Sequence, residues 1–227
     1  MKKKSLVTMA ATLALVGTVG AGATLAYMTA KTNEVRNTFT FAEAGIGIAL
    51  DECVVDAVTN KAVADGGRTS QGQSYQNIVP GMIIDKDPTV TILANSLNCN
   101  VFASVTNANG NNGLTITDFG TDAWKVINPA DYGLEAADED TIYYVYQGDF
   151  GTGEVEDNDA FVVVPCDAEN ATVLEDIFET ITISAELTEE TEFSDIVIKA
   201  AAVQADSCTD AAAANTALSM LGAVVAE

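Results

Sequence analysis

"DIVIKAAAVQAD", residues 195 to 206, is the stretch on which the fold class turns. Ile196, Ile198, Ala200 and Ala202 recur with a period of two, which puts them on one face of an extended strand. A helix would instead need apolar residues three and four apart. The same period recurs along the chain. "TITISAEL" predicts Ile181, Ile183, Ala185 and Leu187 toward a core, with Thr180, Thr182, Ser184 and Glu186 toward water. "PTVTILAN" groups Val90, Ile92 and Ala94, "VFASVTN" groups Val101, Ala103 and Val105, and "GIGIALD" groups Ile46, Ile48 and Leu50. "TIYYVYQ" and "AFVVVP" carry the β-branched and aromatic residues that strands favour, and "LTITDF" and "AWKVI" are shorter candidates.

Turn-forming Asn, Gly, Asp and Pro separate these runs at residues 107–113, 128–133 and 148–159. One helical stretch, "TDAAAANTALSMLGAVVAE", closes the sequence; Thr209 or Asp210 serves as its cap, and its lack of a polar face predicts packing on the sandwich or fraying. Eight or more short strands with turns between them predict an all-β fold. The expected form is an antiparallel jelly-roll β-sandwich with an alanine-rich C-terminal helix. Residues 51–76 are polar and glycine-containing, and read as an insertion holding a short hairpin.

The beginning, "MKKKSLVTMAATLALVGTVGAGATLA", reads as an export signal over residues 1–26. Lys2, Lys3 and Lys4 precede an apolar run from Leu6 to Val16, and small residues follow from Gly17. Cleavage is expected between Ala26 and Tyr27, with Ala23 as the alternative site. The rival is an uncleaved anchor from Leu6 to Met28, disfavoured by Gly17, Gly20 and Gly22. Residues 27–227 then form a single domain that starts with an extended arm, residues 27–41.

The sequence holds 33 acidic and 10 basic residues, a net charge of −23, and loses three lysines with the signal. Such charge argues against nucleic-acid binding and against adhesion to anionic lipid, so the membrane is met only during export. It also keeps monomers apart until salt, cations or acid intervene. No histidine is present, which removes Ser-His-Asp and Cys-His nucleophiles and the HExxH zinc site together. Carboxylate pairs could still hydrolyse glycosides, but none is singled out among so many. No cofactor is expected. Calcium is the one ion with candidate ligands, in "DFGTGEVEDND": Asp149, Glu154, Glu156, Asp157 and Asp159. Gly151 and Gly153 depart from the EF-hand pattern there, so a flexible acidic loop is the alternative. Of the tyrosines, Tyr144 and Tyr146 share one strand face and Tyr143 takes the other, which reads as core packing rather than a sugar platform.

Cys53, Cys99, Cys166 and Cys208 are an even count in an exported chain, which predicts two disulfides of three connectivities. Cys99 with Cys166 and Cys53 with Cys208 is the preferred set; four free, half-buried thiols are the alternative.

"TLAYMTAKTNEVRNTFTF", followed by "IGIALDE", resembles the export signal and first strand of the TasA/camelysin-like secreted proteins. Asn37, Thr38, Phe39 and Thr40 match that family's "NTFT" element, and Ile46–Glu52 its strand ending in an acid. "NIVPGMIIDKDPTVTILANSLNCNVFASVTN" and "IVIKAAAVQAD" extend the similarity, while residues 51–76 and 109–140 lie outside it. The resemblance implies processing by a SipW-type signal peptidase and secretion to the extracellular matrix or cell surface. It further implies a structural subunit, and the missing histidines argue against enzymatic activity. Its partners would be copies of itself or related matrix subunits, assembled into fibres with the N-terminal segment as donor strand. Phe39 and Phe41 share one strand face and suit pockets on an accepting sheet; the alternative makes Asn37–Phe41 the chain's own edge strand. Two other functions stay open: a camelysin-like secreted metalloendopeptidase, disfavoured by the missing histidines, and a surface-held ligand-binding module.

Overall fold

The computed structural model describes residues 29–31, 45–107, 113–119, 123–148, 161–187, 193–206 and 208–226. Along them run β1 (Thr29–Lys31), β2 (Ile48–Cys53), β3 (Arg68–Thr69), β4 (Ile83–Asp85), β5 (Thr89–Ile92), β6 (Cys99–Thr106) and β7 (Leu114–Phe119). There follow β8 (Trp124–Ile127), β9 (Leu134–Glu135), β10 (Thr141–Tyr146), β11 (Thr172–Val173), β12 (Phe178–Ile183), β13 (Val197–Gln204), the helix α1 (Asp210–Leu221) and β14 (Val224–Val225). A five-stranded sheet has the order β1-β13-β6-β10-β8, a four-stranded one β11-β5-β2-β3, a three-stranded one β4-β12-β7, and β14 pairs with β9. Every pairing is antiparallel. Among the described residues the architecture is therefore an all-β antiparallel sandwich with an α-helix near the C-terminus. Its strands divide into sheets of five, four, three and two rather than two of four, so the finer jelly-roll topology is not what these strand orders show.

The five-stranded sheet separates two apolar cores, and strand alternation sorts its residues between them. Val101, Ala103 and Val105 of β6, Tyr144 and Tyr146 of β10, and Ile198, Ala200 and Ala202 of β13 join the main core. There they meet Ile48, Leu50, Val90 and Ile92 of the four-stranded sheet and Phe178, Ile181 and Ile183 of β12. The intervening residues Phe102, Tyr143, Val145, Ala201 and Val203 point the other way, under Ala213, Ala214, Ala217, Leu218 and Leu221 of α1. Tyrosines on both faces are thus packing residues. The helix is the second cover of a sheet buried on both sides. Its alanines leave only a Cβ between backbone and sheet, and Leu218 and Leu221 fill the remaining depth. Thr209 caps it through Oγ1, accepting from Ala212 N–H at 3.3 Å, and Gly222 ends it in the left-handed conformation. Asp210 instead accepts from Phe161 N–H at 3.0 Å.

Two strand expectations are corrected. β12 stops at Ile183, and Ala185 is exposed rather than core-facing. Ser184 N–H bonds Gly113 O at 2.7 Å and Ser184 Oγ accepts from Glu186 N–H at 3.2 Å, so a serine turn replaces the ladder. Of "AFVVVP", the described residues 161–165 form a bridge, Val164 to Cys99, and no strand. Side chains take the neighbouring backbone groups: Val162 O accepts from Asn100 Nδ2 at 3.0 Å, and Val162 N–H donates to Gln147 Oε1 at 3.0 Å. In residues 51–76 a short hairpin forms, with Glu52 opposite Thr69 and Cys53 opposite Arg68.

Candidate functional site: an arm-bearing edge and the mouth of the sandwich

β13 is where the five-stranded sheet would end, and β1 lies along it: Thr29 opposite Val203, Ala30 opposite Ala202, Lys31 opposite Ala201. An uncovered sheet edge offers a row of unpaired N–H and C=O groups, and a three-residue strand is enough to satisfy part of it. Strand pairing thus begins earlier than the sequence suggests, inside the stretch read as a polar arm. Asn37–Phe41, the cleavage residues Ala26 and Tyr27, and the calcium candidates Asp149, Glu154, Glu156, Asp157 and Asp159 lie outside the described residues.

Between β13 and the β4-β12-β7 sheet the sandwich opens into a cavity of about 700 Å³. Ile84, Ile181, Ile183, Leu114 and Ile198 supply apolar walls, and Gln73 and Tyr75, from the segment after β3, supply a polar side. Glu52 and Lys86 form an ion pair at its inner end with exposures of only 2% and 7%. Gln73 Nε2 donates to Glu52 Oε1 at 3.2 Å and to Cys53 O at 2.7 Å, while the Lys86 ammonium sits 5.7 Å from the centre of the Tyr75 ring. The Tyr75 hydroxyl is enclosed and has no hydrogen-bond partner. Burial, then the negative charge of Glu52, pushes its ionisation far above the ordinary tyrosine range. The buried pair and an orphaned hydroxyl in one cavity are the features expected of a small-molecule site rather than of inert filling.

Beside this mouth, Arg68 clamps β2 to the segment before β5. It donates to the Asp51 carboxylate, to Asp87 Oδ2 at 2.8 Å, to Asp87 O at 2.8 Å and to Thr89 Oγ1. Burial works against charge on Asp87. Hydrogen bonds from Cys53 and the Arg68 guanidinium outweigh it and hold the carboxyl below the usual carboxylate range. Asp176 is pushed the other way, by burial and by the charge of Asp87, despite a bond from Thr89 Oγ1 at 2.7 Å. Asp87 stabilises the fold above its unfolded value of about 3.9, and that contribution is lost as pH falls through its depressed folded value. Asp176 has the opposite sign and becomes less costly as acid protonates it. Arg68→Met should destabilise the chain by about 1–2 kcal/mol at neutral pH. Urea midpoints from pH 7 down to 3 should then fall less steeply than those of the parent. A parallel pair of curves would mean that Arg68 does not hold Asp87 charged.

All four cysteines are free thiols. Cys99 and Cys166 come together at the start of β6. The expected Cys53–Cys208 pairing is corrected. Cys208 N–H bonds Ala205 O, Ala205 N–H bonds Asn98 O, and Leu97 N–H bonds Gly45 O, which places Cys208 beside the Gly45 end of β2. Cys53 is at the other end of that strand. The six residues of β2 alone span about 17 Å, against the roughly 6 Å between bridged Cα atoms.

Sequence reasoning missed Glu52, Lys86, Gln73, Tyr75 and Arg68 as a group. The available signal was scarcity: basic residues are few in so acidic a chain, so Lys86 and Arg68 had no shortage of partners. Among the described residues, no group of three or more His, Cys, Asp or Glu side chains is arranged to hold a metal ion, and no helix is long and apolar enough to cross a membrane. Compared with known proteins, the chain matches no protein-family model, no curated protein and no solved structure.

Proposed function

We propose that this chain is a secreted structural subunit of the extracellular matrix or cell surface, joining copies head to tail by lending its N-terminal segment to a neighbour's sheet. The observation that carries this is the antiparallel seat of Thr29–Lys31 along Val203–Ala201. Main-chain hydrogen bonds at a sheet edge do not depend on which copy supplies the strand, so an arm seated in its own chain can also seat in another. Because the lent segment and the accepting edge are different surfaces, such a contact propagates instead of closing. The acidic surface keeps subunits dispersed until salt, cations or acid reduce repulsion. The similarity to TasA/camelysin-like proteins supports the same reading, with related matrix subunits as further partners. We assign the chain no catalytic role.

The test is electron microscopy and sedimentation of the chain starting at Tyr27, with and without residues 27–36, and with Ala30→Pro. Proline fixes φ and removes a backbone donor in the middle of β1. Filaments are expected from the unaltered chain and at least tenfold fewer from both variants. Monomers across salt, calcium and acidic pH would overturn the subunit role, and filaments indifferent to both variants would overturn strand lending.

A second reading, a surface-held ligand-binding module, is favoured by the cavity and the orphaned Tyr75 hydroxyl within it. It requires monomers whose melting temperature rises with a small amphiphile, and loss of that rise in Tyr75→Phe.

A further inference from the structure

Cys99 and Val164 exchange two backbone hydrogen bonds, Cys99 N–H to Val164 O at 3.2 Å and Val164 N–H to Cys99 O at 2.8 Å. Two residues on, Cys166 N–H donates to Asn98 Oδ1 at 3.1 Å and the Cys166 thiol to Leu97 O at 2.9 Å. These contacts turn Cys166 Sγ back across the start of β6, toward the Cys99 thiol. Cys99 is fully enclosed and Cys166 half-buried, so one sulfur can meet a reagent and the other can only meet its neighbour. We propose that Cys99 and Cys166 are an oxidation site, at which a low-molecular-weight disulfide converts the two thiols into a cystine that staples β6 to residues 161–166. This inference does not depend on whether the subunit forms fibres.

The two sulfurs have different parts. The hydrogen bond from Cys99 draws the Cys166 thiol below its ordinary range, against burial and with help from Ser96. Donation to Cys166, then burial, holds Cys99 well above that range. Cys166, the half-buried sulfur, is the attacking thiolate, and the enclosed Cys99 is the resolving thiol. With oxidised glutathione, Cys166 Sγ bonds one glutathione sulfur as the glutathione S–S bond breaks, and the first glutathione leaves as a thiolate. The Cys99 sulfur then gives up its proton and attacks Cys166 Sγ, expelling the second glutathione. Two electrons pass from the cysteine pair to glutathione, and both cysteine protons end on the two released thiols.

Cys53 stays outside this chemistry. Burial first, then a hydrogen bond to and the charge of Asp87, pushes its thiol up to about 12, so it is scarcely ionised at neutral pH. Cys208 packs against the helix-side core, whereas Cys99 and Cys166 belong to the main core on the other face of the sheet.

The test uses the whole protein in oxidised glutathione, followed by alkylation, digestion and mass spectrometry. A Cys99–Cys166 linked peptide is expected, with Cys53 and Cys208 still open to alkylation after unfolding. Cys99→Ala should trap glutathione on Cys166 as a lasting adduct, at least tenfold more abundant than in the parent. Cys166→Ser should leave Cys99 unmodified while folded. In the parent, oxidation should raise the melting temperature by about 5–10 °C, because a long loop is closed. Both thiols still alkylatable after exposure, linkage to Cys53 or Cys208, or equal adducts in parent and Cys99→Ala would each overturn the proposal.

Discussion

Replacing Lys86 with methionine is expected to destabilise the folded chain by about 3–5 kcal/mol, the range for breaking one partner out of a buried ion pair. Lys86 and Glu52 are 7% and 2% exposed, and the Lys86 ammonium donates directly to the Glu52 carboxylate. Without it the carboxylate keeps one hydrogen bond, from Gln73 Nε2, and no positive charge. Both partners are almost fully enclosed where they line the cavity, with the Lys86 ammonium 5.7 Å from the centre of the Tyr75 ring. The double variant Glu52→Leu with Lys86→Met should recover most of the loss, because the desolvation cost of both ions vanishes together. Chemical denaturation at neutral pH of the parent, both single variants and the double variant gives the coupling energy directly. A Lys86→Met protein as stable as the parent would show that water enters the cavity far enough to solvate Glu52.

Leu218→Ala should cost about 3–5 kcal/mol and tests the second core independently. Leu218 is fully buried on α1, in the cluster that holds Phe102, Tyr143 and Val203. Ala213, Ala214 and Ala217 on that face are too short to move into the space left behind, and Leu221 is itself buried in the same cluster. The hole therefore stays open, and the cost approaches the upper part of the range. Far-UV circular dichroism and Trp124 fluorescence separate two outcomes, since Trp124 stacks edge-on against Tyr146 in the other core. Coincident transitions would mean that the sheet couples both cores into one cooperative unit. Early loss of helix with Trp124 unchanged would make α1 a separable layer.

Alternation alone made most of the sandwich legible. Residues 195–206 and the runs around Val90, Val101 and Ile48 place their apolar residues in the core, because a period of two admits no other regular structure. It also assigned Tyr144 and Tyr146 to one face and Tyr143 to the other. Where the pattern misled, local polar groups had competed with the ladder: Ser184 ended β12, and Asn100 and Gln147 took the backbone of Val162. Such competition depends on partners remote in sequence, which periodicity does not contain.

The sites were less legible for the same reason. Cys99 and Cys166 were nameable as partners but no spacing rule selected them, and the parallel choice of Cys53 with Cys208 is ruled out by the length of β2. Glu52 and Lys86 lie in different strands and connections, and only the closing of the sandwich sets them face to face. The seat of Thr29–Lys31 on β13 likewise follows from which edge the five-stranded order leaves open. Sequence by itself thus determined the strand class, the acidic surface, the absence of histidine chemistry and the terminal helix, since these are local properties of residue type and period. Tertiary structure alone decided the second core, the buried ion pair, the meeting thiols and the edge that takes the arm, because each requires residues far apart in the chain to occupy one place.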